Sequence, residues 1–289
     1  MQQQIICLIG KPVAHSISSV FQQAALDYCG IRARYQSWEV EKADLSSVVE
    51  RLRLPDHLGA NVTIPYKEMV VPMLDDLEDF AAKVGAVNTI VARHGRLSGH
   101  NTDGQGFLRA LEQEAEYRVA GAHALVLGAG GAARAVVMAL LSAGAGSVTV
   151  ANRTVGRAER LVGDMQQYAS QTVLKAASLA GPEIWEQAVA SELIVNCTSL
   201  GMSGTGEQDS VPLPAMAINP HSVVFDIVAN PVETRFLEEA RERGAWTING
   251  LAMLVHQGAA AFELWVERPA PLEEMMEAAR RAMSISAAR

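Results

Sequence analysis

Short apolar runs alternate with segments of helical spacing through the first hundred residues of the chain. The run at 5–9 predicts a strand, and the apolar positions at 20–29, closed by Gly30, predict a helix. Alternating strands and helices with a hairpin predict an α/β domain with a mixed sheet. The other predicted elements of this domain are a strand at 34–40, a helix at 45–54 that Pro55 ends, a strand at 59–64 and a hairpin of 86–92 with 96–99.

After a helix predicted at 104–116, the pattern becomes that of a doubly wound parallel sheet. Continuous apolar runs at 193–197 and 223–228 are typical of strands buried on both faces. The pattern therefore predicts a two-domain α/β fold, an N-terminal α/β domain with a mixed sheet and a Rossmann-type domain. The remaining predicted elements are strands at 125–127 and 147–151 and helices at 132–143, 251–266 and 272–285.

The turn between the strands at 125–127 and 147–151 carries the sequence Gly128-Ala129-Gly130-Gly131-Ala132. Glycines at this place let the backbone approach a pyrophosphate, and the N-terminus of the next helix offers free N–H groups. Because the loop lies between a strand and a helix and a second strand follows, this variant of the fingerprint predicts dinucleotide binding.

The residues after the second of these strands indicate which dinucleotide is bound. An acid at this place binds the ribose 2′-hydroxyl of NAD, whereas arginine suits the 2′-phosphate of NADP. Here Asn152-Arg153-Thr154 is followed by Arg157, and no acid occurs before Glu159. A guanidinium pairs with phosphate through parallel hydrogen bonds. The pattern favours NADP, and a solvated basic helix start is the alternative.

Composition argues against several other classes of partner. The 24 basic and 32 acidic side chains leave a formal charge of −8, which does not suggest a nucleic-acid or anionic-membrane surface. Cys7, Cys29 and Cys197 are widely spaced, form no metal-type motif with histidine, and indicate a reducing compartment. No signal peptide is evident, and 251–266 is too short and too polar to span a bilayer. We therefore expect a cytoplasmic protein without a metal.

The first polar cluster, His15-Ser16-Ile17-Ser18, follows the first predicted strand. Two serines that are two residues apart can point the same way and bind a carboxylate or hydroxyl groups. Serines in such a place also serve as helix caps, which is the alternative interpretation.

The second cluster extends from Asn61 to Lys67. Alternation along the strand places Asn61 and Thr63 on one face, and Pro65 suits the start of a helix. A lysine at a helix N-terminus opposes the helix dipole, so Lys67 in this place hints at a function. The alternative is an ordinary solvated lysine.

Two further clusters accompany predicted helices. Asp103, in Asn101-Thr102-Asp103-Gly104, is either a functional carboxylate or an N-cap of the helix at 104–116. Met253 and Gln257 are four residues apart and share a face of the apolar helix at 251–266. A single amide on that face suggests a pocket wall, or a core helix with a satisfied polar group.

Nine motifs carry these residues in order. They are Gly10-x-Pro12-x-x-His15-Ser16-x-Ser18, Asn61-Val62-Thr63-x-Pro65-x-Lys67, Gly85-Ala86-Val87-Asn88-Thr89, Asn101-Thr102-Asp103-Gly104, Gly128-Ala129-Gly130-Gly131-Ala132, Asn152-Arg153-Thr154, Asn196-x-Thr198-x-x-Gly201-Met202, Asp226 and Gly250-x-x-Met253-Leu254-x-x-Gln257. Together they resemble the shikimate dehydrogenase family over nearly the whole chain.

The resemblance implies reversible, NADP-dependent oxidation of shikimate to 3-dehydroshikimate, a reaction of aromatic amino acid biosynthesis. It implies that Lys67 and Asp103 are the catalytic pair at the C3 oxygen, and physical reasoning agrees, since hydride transfer to a ketone needs a nearby proton donor. The implied substrate contacts are Ser16 and Ser18 for the carboxylate and Thr63, Asn88 and Gln257 for the hydroxyls. The implied cofactor residues are Gly128, Ala129, Gly130, Gly131, Ala132, Asn152, Arg153, Thr154, Arg157, Thr198, Ile227, Gly250 and Met253.

The resemblance also implies how the domains are divided. Residues 1–103 would be the substrate-binding and catalytic domain, completed by the C-terminal helices at about 252–289 because Gln257 must reach the substrate. Residues 104–251 would be the Rossmann-like NADP-binding domain. The implied partners are small molecules, bound by a monomer or a homodimer.

The chain departs from the family pattern at two positions. Ser19 stands where the family usually has proline, and Ala229 stands where it has a tyrosine that contacts the substrate carboxylate. Losing one hydrogen bond to a charged group weakens binding by about 1.5–3 kcal/mol. We therefore expect weaker shikimate binding or a preference for a related acid.

Two alternatives remain at the level of sequence, and a third is set aside. Quinate, or another polyhydroxy cyclic acid, is the nearest alternative substrate, because its extra hydroxyl suits the space at Ala229. A sensor that binds NADP(H) without turnover is the alternative of another class, and the intact Lys67 and Asp103 argue against it. Glutamyl-tRNA reductases carry a similar glycine loop but lack the contexts of Lys67 and Asp103.

Overall fold

The computed structural model describes residues 3–13, 16–181 and 183–287. The chain divides into two compact units. Unit 1 comprises Met1–Gly106 and Val255–Arg289, and unit 2 comprises Phe107–Leu254. Among the described residues, no helix combines the length and the apolar character that crossing a membrane requires.

Unit 1 is built on a six-stranded mixed sheet in the order β2-β1-β3-β5-β6-β4. The strand β1 is parallel to β2 and β3, whereas β5 is antiparallel to β3 and β6. Buried side chains from both the sheet and its loops form the core, including Ile9, Val62, Tyr66 and Ile90. The elements are β1 (Gln4–Gly10), α1 (Ser18–Tyr28), β2 (Ala33–Glu39), α2 (Leu45–Arg51), β3 (His57–Val62), β4 (Asp76–Leu77), α3 (Asp79–Val84), β5 (Thr89–Arg93) and β6 (Arg96–His100).

Unit 2 contains a six-stranded sheet in the order β12-β11-β10-β7-β8-β9, with every neighbouring pair parallel. The strand order reverses at β7, which makes the carboxyl end of β7 the topological switch point. The remaining elements of the chain, in order, are α4 (Asp103–Ala115), β7 (His123–Leu127), α5 (Gly131–Ser142), β8 (Ser147–Asn152), α6 (Val155–Met165), β9 (Val173–Ser178), α7 (Glu183–Val189), β10 (Leu193–Asn196), β11 (Val223–Asp226), α8 (Arg235–Glu242), β12 (Trp246–Ile248), α9 (Gly250–Val266) and α10 (Leu272–Ala287).

The helices α4 and α9 each begin in one unit and end in the other, and α10 belongs to unit 1, where it packs against α1. The predicted class, a two-domain α/β fold with a mixed sheet and a Rossmann-type sheet, is confirmed. The central strands β7 and β10 read as continuous apolar runs because both of their faces are covered.

Several predicted boundaries were wrong, and three of them have a clear local reason. The helix predicted to reach Leu54 ends at Arg51, since Leu52 and Arg53 turn back onto carbonyls three residues earlier. The hairpin strand predicted from 86 begins at Thr89, because the Val87 N–H bonds to Lys67 outside the ladder. The strand predicted at 223–228 ends at Asp226, whose carboxylate accepts the N–H of Val228 and turns the chain out of the sheet.

Candidate active site

Lys67 and Asp103 form an ion pair within unit 1. The Lys67 Nζ lies 2.5 Å from Asp103 Oδ2. The side chains are 16% and 7% exposed, so the pair is largely shielded from water while the lysine remains accessible. An ion pair in such a place interacts more strongly than one on an open surface, and its donors are fixed before any ligand arrives. The two residues that the family resemblance implies as a catalytic pair are therefore in direct contact.

Lys67 does not lie at a helix N-terminus, and the prediction that Pro65 starts a helix was wrong. Residues 64–70 form turns, followed by a short 3-10 helix at Val71–Met73. A helix that began at Pro65 could not continue past Pro72, which has no N–H to donate. The buried Tyr66, whose hydroxyl donates to the Val40 carbonyl at 2.6 Å, also holds the backbone in place. The dipole argument for Lys67 therefore does not apply.

Asn88 is hydrogen-bonded to the carboxylate of Asp103. Its Nδ2 lies 2.8 Å from Asp103 Oδ1, 2.9 Å from Thr102 Oγ1 and 3.2 Å from Gln257 Oε1. Its Oδ1 accepts the Thr102 N–H at 2.8 Å and the Thr89 hydroxyl at 3.0 Å. Asp103 is the first residue of α4 and is held by Lys67 and Asn88 on its two oxygens. Its carboxylate is thus bound by the side chains of this network.

Gln257 joins the same cluster from α9. Besides its contact with Asn88, its Oε1 lies 3.5 Å from the Thr102 hydroxyl. Met253, one turn earlier on α9, is buried. Met253 and Gln257 are four residues apart on α9, which is consistent with the predicted shared face. The amide end of Gln257 contacts Asn88 and Thr102.

The serine cluster and Thr63 lie at the carboxyl ends of adjacent parallel strands. Ser16 follows β1, and its Oγ accepts the N–H of Ser18, the first residue of α1, at 3.3 Å. Thr63 follows β3 and bonds through its N–H to the Ile9 carbonyl. His15 lies outside the described residues. Ser16 and Ser18 are therefore in contact with each other, and β1 and β3 bring Thr63 to the same edge of the sheet.

The predicted cofactor residues follow five parallel strands of unit 2. Because parallel strands end at the same edge, these residues share the edge at which doubly wound folds bind ligands. They are Gly128, Ala129, Gly130, Gly131 and Ala132 after β7, Asn152 at the end of β8 with Arg153, Thr154 and Arg157 after it, Thr198 after β10, Ile227 after β11, and Gly250 and Met253 after β12.

Gly128 has a backbone conformation that requires glycine. Its φ is +110°, and a Cβ there would lie 2.9 Å from the carbonyl oxygen of Cys197. Gly130, the N-cap of α5, has open space where a Cβ would be. No side chain caps this helix, so its first N–H groups can bind an anion.

Arg153 and Arg157 are exposed at the start of α6. Thr154 is the N-cap, and the Asn152 side chain donates to its carbonyl at 2.9 Å, which shapes this corner. Within the described part of the chain, neither arginine forms an ion pair, whereas Arg134 on α5 pairs with Asp164 at 2.8 Å. Two guanidinium groups without a carboxylate fit an anionic ligand better than a structural role.

A buried network joins the loops after β10 and β11. Asp226 Oδ1 accepts from Asn196 Nδ2 at 2.9 Å and from the Val228 N–H at 3.0 Å, and Oδ2 accepts from Thr234 at 2.7 Å. Asn196 in turn accepts from the N–H and hydroxyl of Thr198. Burial raises the pKa of Asp226 to about 6, although these three hydrogen bonds oppose the shift. The network holds Thr198 and Ile227 at the carboxyl ends of β10 and β11.

Sequence reasoning assigned no role to several residues of these networks. Thr89, Thr102, Asn196 and Asp226 occur in the quoted motifs, so the signal was present without a mechanism. Tyr35 had no such signal, because a tyrosine in a strand is ordinarily a packing residue.

Fold and site define the class: an α/β protein with a Rossmann-type nucleotide-binding unit and a second unit that holds a shielded lysine–carboxylate pair. Family models match most of the chain. The shikimate dehydrogenase substrate-binding domain matches residues 8–90, shikimate/quinate 5-dehydrogenase matches 110–231, and the shikimate 5′-dehydrogenase C-terminal domain matches 250–280.

Relatives agree over nearly the full length. NADP-dependent shikimate dehydrogenases of Symbiobacterium thermophilum and Moorella thermoacetica are 46% and 44% identical, covering 97% and 98% of this chain and 95% and 94% of their own. The crystal structure of shikimate 5-dehydrogenase from Thermus thermophilus with NADP(H) and shikimate matches with a TM-score of 0.85 at 37% identity, covering 96% of this chain and 99% of that one. The chain belongs to the shikimate dehydrogenase family, as the sequence motifs predicted.

Proposed function

We propose that this protein catalyses the reversible, NADP-dependent oxidation of shikimate to 3-dehydroshikimate. The observation that carries the proposal is the Lys67–Asp103 pair, held by Asn88, in a chain whose relatives are NADP-dependent shikimate dehydrogenases. The oxidoreductase class and the NADP cofactor predicted from the sequence are confirmed by these relatives.

Bound NADP supplies the acceptor, or in the reverse direction the donor, of the hydride at C3 of the substrate. The Lys67–Asp103 pair accepts or donates the proton of the C3 hydroxyl, depending on the direction of the reaction. In oxidation this proton passes to the pair as the C–H bond breaks, and in reduction the pair returns it to the carbonyl oxygen. The Lys67 ammonium also stabilises negative charge that develops on that oxygen. A nitrogen–oxygen distance of 2.5 Å lets both groups take part in the transfer.

The other polar side chains of unit 1 fit the rest of the substrate. We assign Ser16 and Ser18 to its carboxylate and Thr63, Asn88 and Gln257 to its hydroxyls. Asn88 and Gln257 are already fixed by hydrogen bonds to each other and to Thr102. Fixed donors bind with little loss of side-chain entropy, which favours recognition of several hydroxyl groups at once.

The residues at the edge of the unit 2 sheet fit NADP. The uncapped N-terminus of α5 and the loop from Gly128 to Ala132 suit the pyrophosphate. Asn152, Arg153, Thr154 and Arg157 suit the adenosine 2′-phosphate. Ile227, Gly250 and Met253 are assigned to the nicotinamide end, and Thr198 is a further cofactor contact, which the Asn196–Asp226 network holds in place.

The division of labour follows the two units. We propose that residues 1–103, completed by the helices at about 252–289, bind the substrate and carry the catalytic pair, and that 104–251 bind NADP. The partners are small molecules, and the enzyme works in the cytoplasm as a monomer or a homodimer. Its three cysteines are free thiols, which suits a reducing compartment.

A steady-state comparison of shikimate and quinate with NADP⁺ and NAD⁺ tests the function. We expect kcat/KM to be highest for shikimate with NADP⁺, by about tenfold or more over each other pair, because both the hydroxyl contacts and the 2′-phosphate contacts are then used. Tight NADP binding without reduction of NADP⁺ by either acid would favour the sensor instead. A higher kcat/KM for quinate would move the substrate assignment and leave the reaction class unchanged.

Ala229 gives a second test of the substrate. The residue lies in the loop after β11 and has no polar side chain, so the Ala229→Tyr variant adds a hydroxyl where the family has one. We expect the KM for shikimate to fall by about tenfold or more, the value of one hydrogen bond to a charged group. The control is Ala229→Phe, which adds the ring without the hydroxyl and is expected to leave KM higher than Ala229→Tyr does. An equal KM in all three proteins would count against a carboxylate contact at this position.

A further inference from the structure

Tyr35 is a buried tyrosine outside the set of proposed substrate contacts. It lies on β2, is 7% exposed, and reaches across β1 to donate its hydroxyl to Asn61 Oδ1 on β3 at 2.7 Å. Burial raises the pKa of Tyr35 well above its ordinary value, so the phenol keeps its proton at any working pH.

A continuous series of buried hydrogen bonds runs from Asn61 to the catalytic carboxylate. Asn61 Nδ2 lies 3.2 Å from both the Asn88 carbonyl and the Thr89 hydroxyl. The Thr89 hydroxyl donates to Asn88 Oδ1 at 3.0 Å, and Asn88 Nδ2 donates to Asp103 Oδ1 at 2.8 Å. All four residues are buried, so none can exchange these partners for bulk water.

The direction of these hydrogen bonds is determined at both ends. The backbone carbonyl of Asn88 can only accept a hydrogen bond, so the side-chain nitrogen of Asn61 must face it. The side-chain oxygen of Asn61 then faces the Tyr35 hydroxyl. Thr89 accepts from Asn61, and its single hydroxyl proton goes to Asn88 Oδ1 at 3.0 Å, which is nearer than the Thr102 hydroxyl at 3.4 Å. Asn88 Oδ1 accepts from the Thr89 hydroxyl and also from the Thr102 N–H, so the NH₂ group of Asn88 faces Asp103. The opposite amide orientation would place an oxygen against the carboxylate.

The ring of Tyr35 is held by packing against α9. Its centroid lies 6.3 Å from that of Trp265, whose Nε1 donates to the Ile90 carbonyl at 2.9 Å. Gly59 on β3 permits this close approach, since a Cβ there would lie 2.7 Å from the Trp265 Nε1. The same helix carries Gln257, which touches Asn88 at the other end of the series.

We propose that Tyr35 is a positioning residue for the dehydrogenase reaction, acting through Asn61, Thr89 and Asn88 to orient Asp103 and, through it, Lys67. The proposal rests on the proposed function, because it assigns Tyr35 to the same catalytic pair. Tyr35 touches neither Lys67 nor Asp103 in the hydrogen bonds described, so its effect is transmitted and not direct.

The Tyr35→Phe variant removes the hydroxyl and keeps the ring. We expect kcat with shikimate to fall by about tenfold, while the KM for NADP⁺ changes by less than about twofold, because misplaced catalytic groups affect the transition state most. In an Asn61→Ala background the same change is expected to have no further effect on kcat. Independent, multiplicative effects of the two substitutions would overturn the proposal.

Thr172→Val is the matched control. The Thr172 hydroxyl donates a buried hydrogen bond to the Ala145 carbonyl at 2.6 Å in unit 2. The Thr172→Val variant therefore also loses one buried hydrogen bond, but this bond is not part of the series from Tyr35 to Asp103. We expect this variant to lose thermal stability comparable to that of Tyr35→Phe and to keep the kcat of the unmodified protein. A fall in kcat equal to that of Tyr35→Phe would mean that stability alone explains the effect.

A measurement without turnover separates this proposal from the proposed function. The side-chain NH₂ signals of Asn88 in a ¹⁵N-labelled protein report its contact with Asp103. They are expected to shift in Tyr35→Phe and to stay in place in Thr172→Val. Unmoved Asn88 signals would refute the positioning role even with normal shikimate turnover in the parent protein. Absence of turnover in the parent would refute the proposed function, while the shift would still support the Tyr35 coupling.

Discussion

Replacing Lys67 with alanine is expected to reduce kcat for shikimate oxidation by about a thousandfold, within the range of about 10²–10⁴ that general acid–base catalysis contributes. The variant loses both the proton carrier and the positive charge beside the developing oxyanion. Asp103 keeps its bond to Asn88 but loses the only ion pair described for it. NADP binding is expected to stay within about twofold of the parent, because the cofactor residues belong to the other unit.

Lys11→Ala provides the comparison for Lys67→Ala. Lys11 also pairs with a carboxylate, that of Glu41, but both side chains are exposed, and such pairs contribute little to stability. This variant should retain the kcat of the parent. Steady-state rates combined with titration of NADP by fluorescence would check both expectations. Near-normal turnover by Lys67→Ala would show that Lys67 is not part of the catalytic pair.

Replacing Arg153 with alanine is expected to lower kcat/KM with NADP⁺ by about 10- to 100-fold, the value of about 1.5–3 kcal/mol for a charge-assisted hydrogen bond. The guanidinium lies at the corner after β8 and has no ion-pair partner in the described chain. Its removal should therefore have little effect on the stability of the fold, and the fall in kcat/KM should report the lost contact with NADP⁺. The value with NAD⁺ should change by less than about twofold, since NAD lacks the 2′-phosphate.

Arg160→Ala tests whether position or only charge matters. Arg160 is another exposed arginine of α6, and it follows Arg157 by one turn. Its loss changes the net charge equally, but we expect the ratio of kcat/KM for NADP⁺ to that for NAD⁺ to stay close to the parent value. If Arg153→Ala and Arg160→Ala lower the NADP⁺ value alike, the effect is a general one of charge and the assignment of Arg153 to the phosphate is wrong.

The elements that could be predicted from the sequence are those whose pattern is local. The strand β7, the glycine turn and α5 were predicted with bounds within a few residues, because a run of buried apolar residues and glycines with special backbone angles leave direct marks in the sequence. The short elements β4, α3 and β12 were not predicted, since two to six residues carry too little periodicity. The turn around Lys67 was misread because Pro65 suits either a turn or a helix start.

The candidate site divides in the same way. Lys67, Asp103, Asn88 and Gln257 were named from motifs, but their spacing along the chain says nothing about distance. Only the folded chain shows that Asn88 binds Asp103 and Gln257, which are 15 and 169 residues away. Tyr35 illustrates the limit, because its role depends on a hydrogen bond across an intervening strand.

The sequence by itself determined the family, the α/β class, the dinucleotide loop and the arginines that favour NADP. Each of these follows from short motifs or from local apolar patterns, which can be recognised without knowing how the chain folds. The tertiary structure decided which polar side chains share hydrogen bonds and which way each amide faces. It also decided that Lys67 lies on a turn and that Asp226 is buried enough for burial to raise its pKa to about 6. These properties depend on groups far apart in the chain, and packing alone determines their distances and their exposure to water.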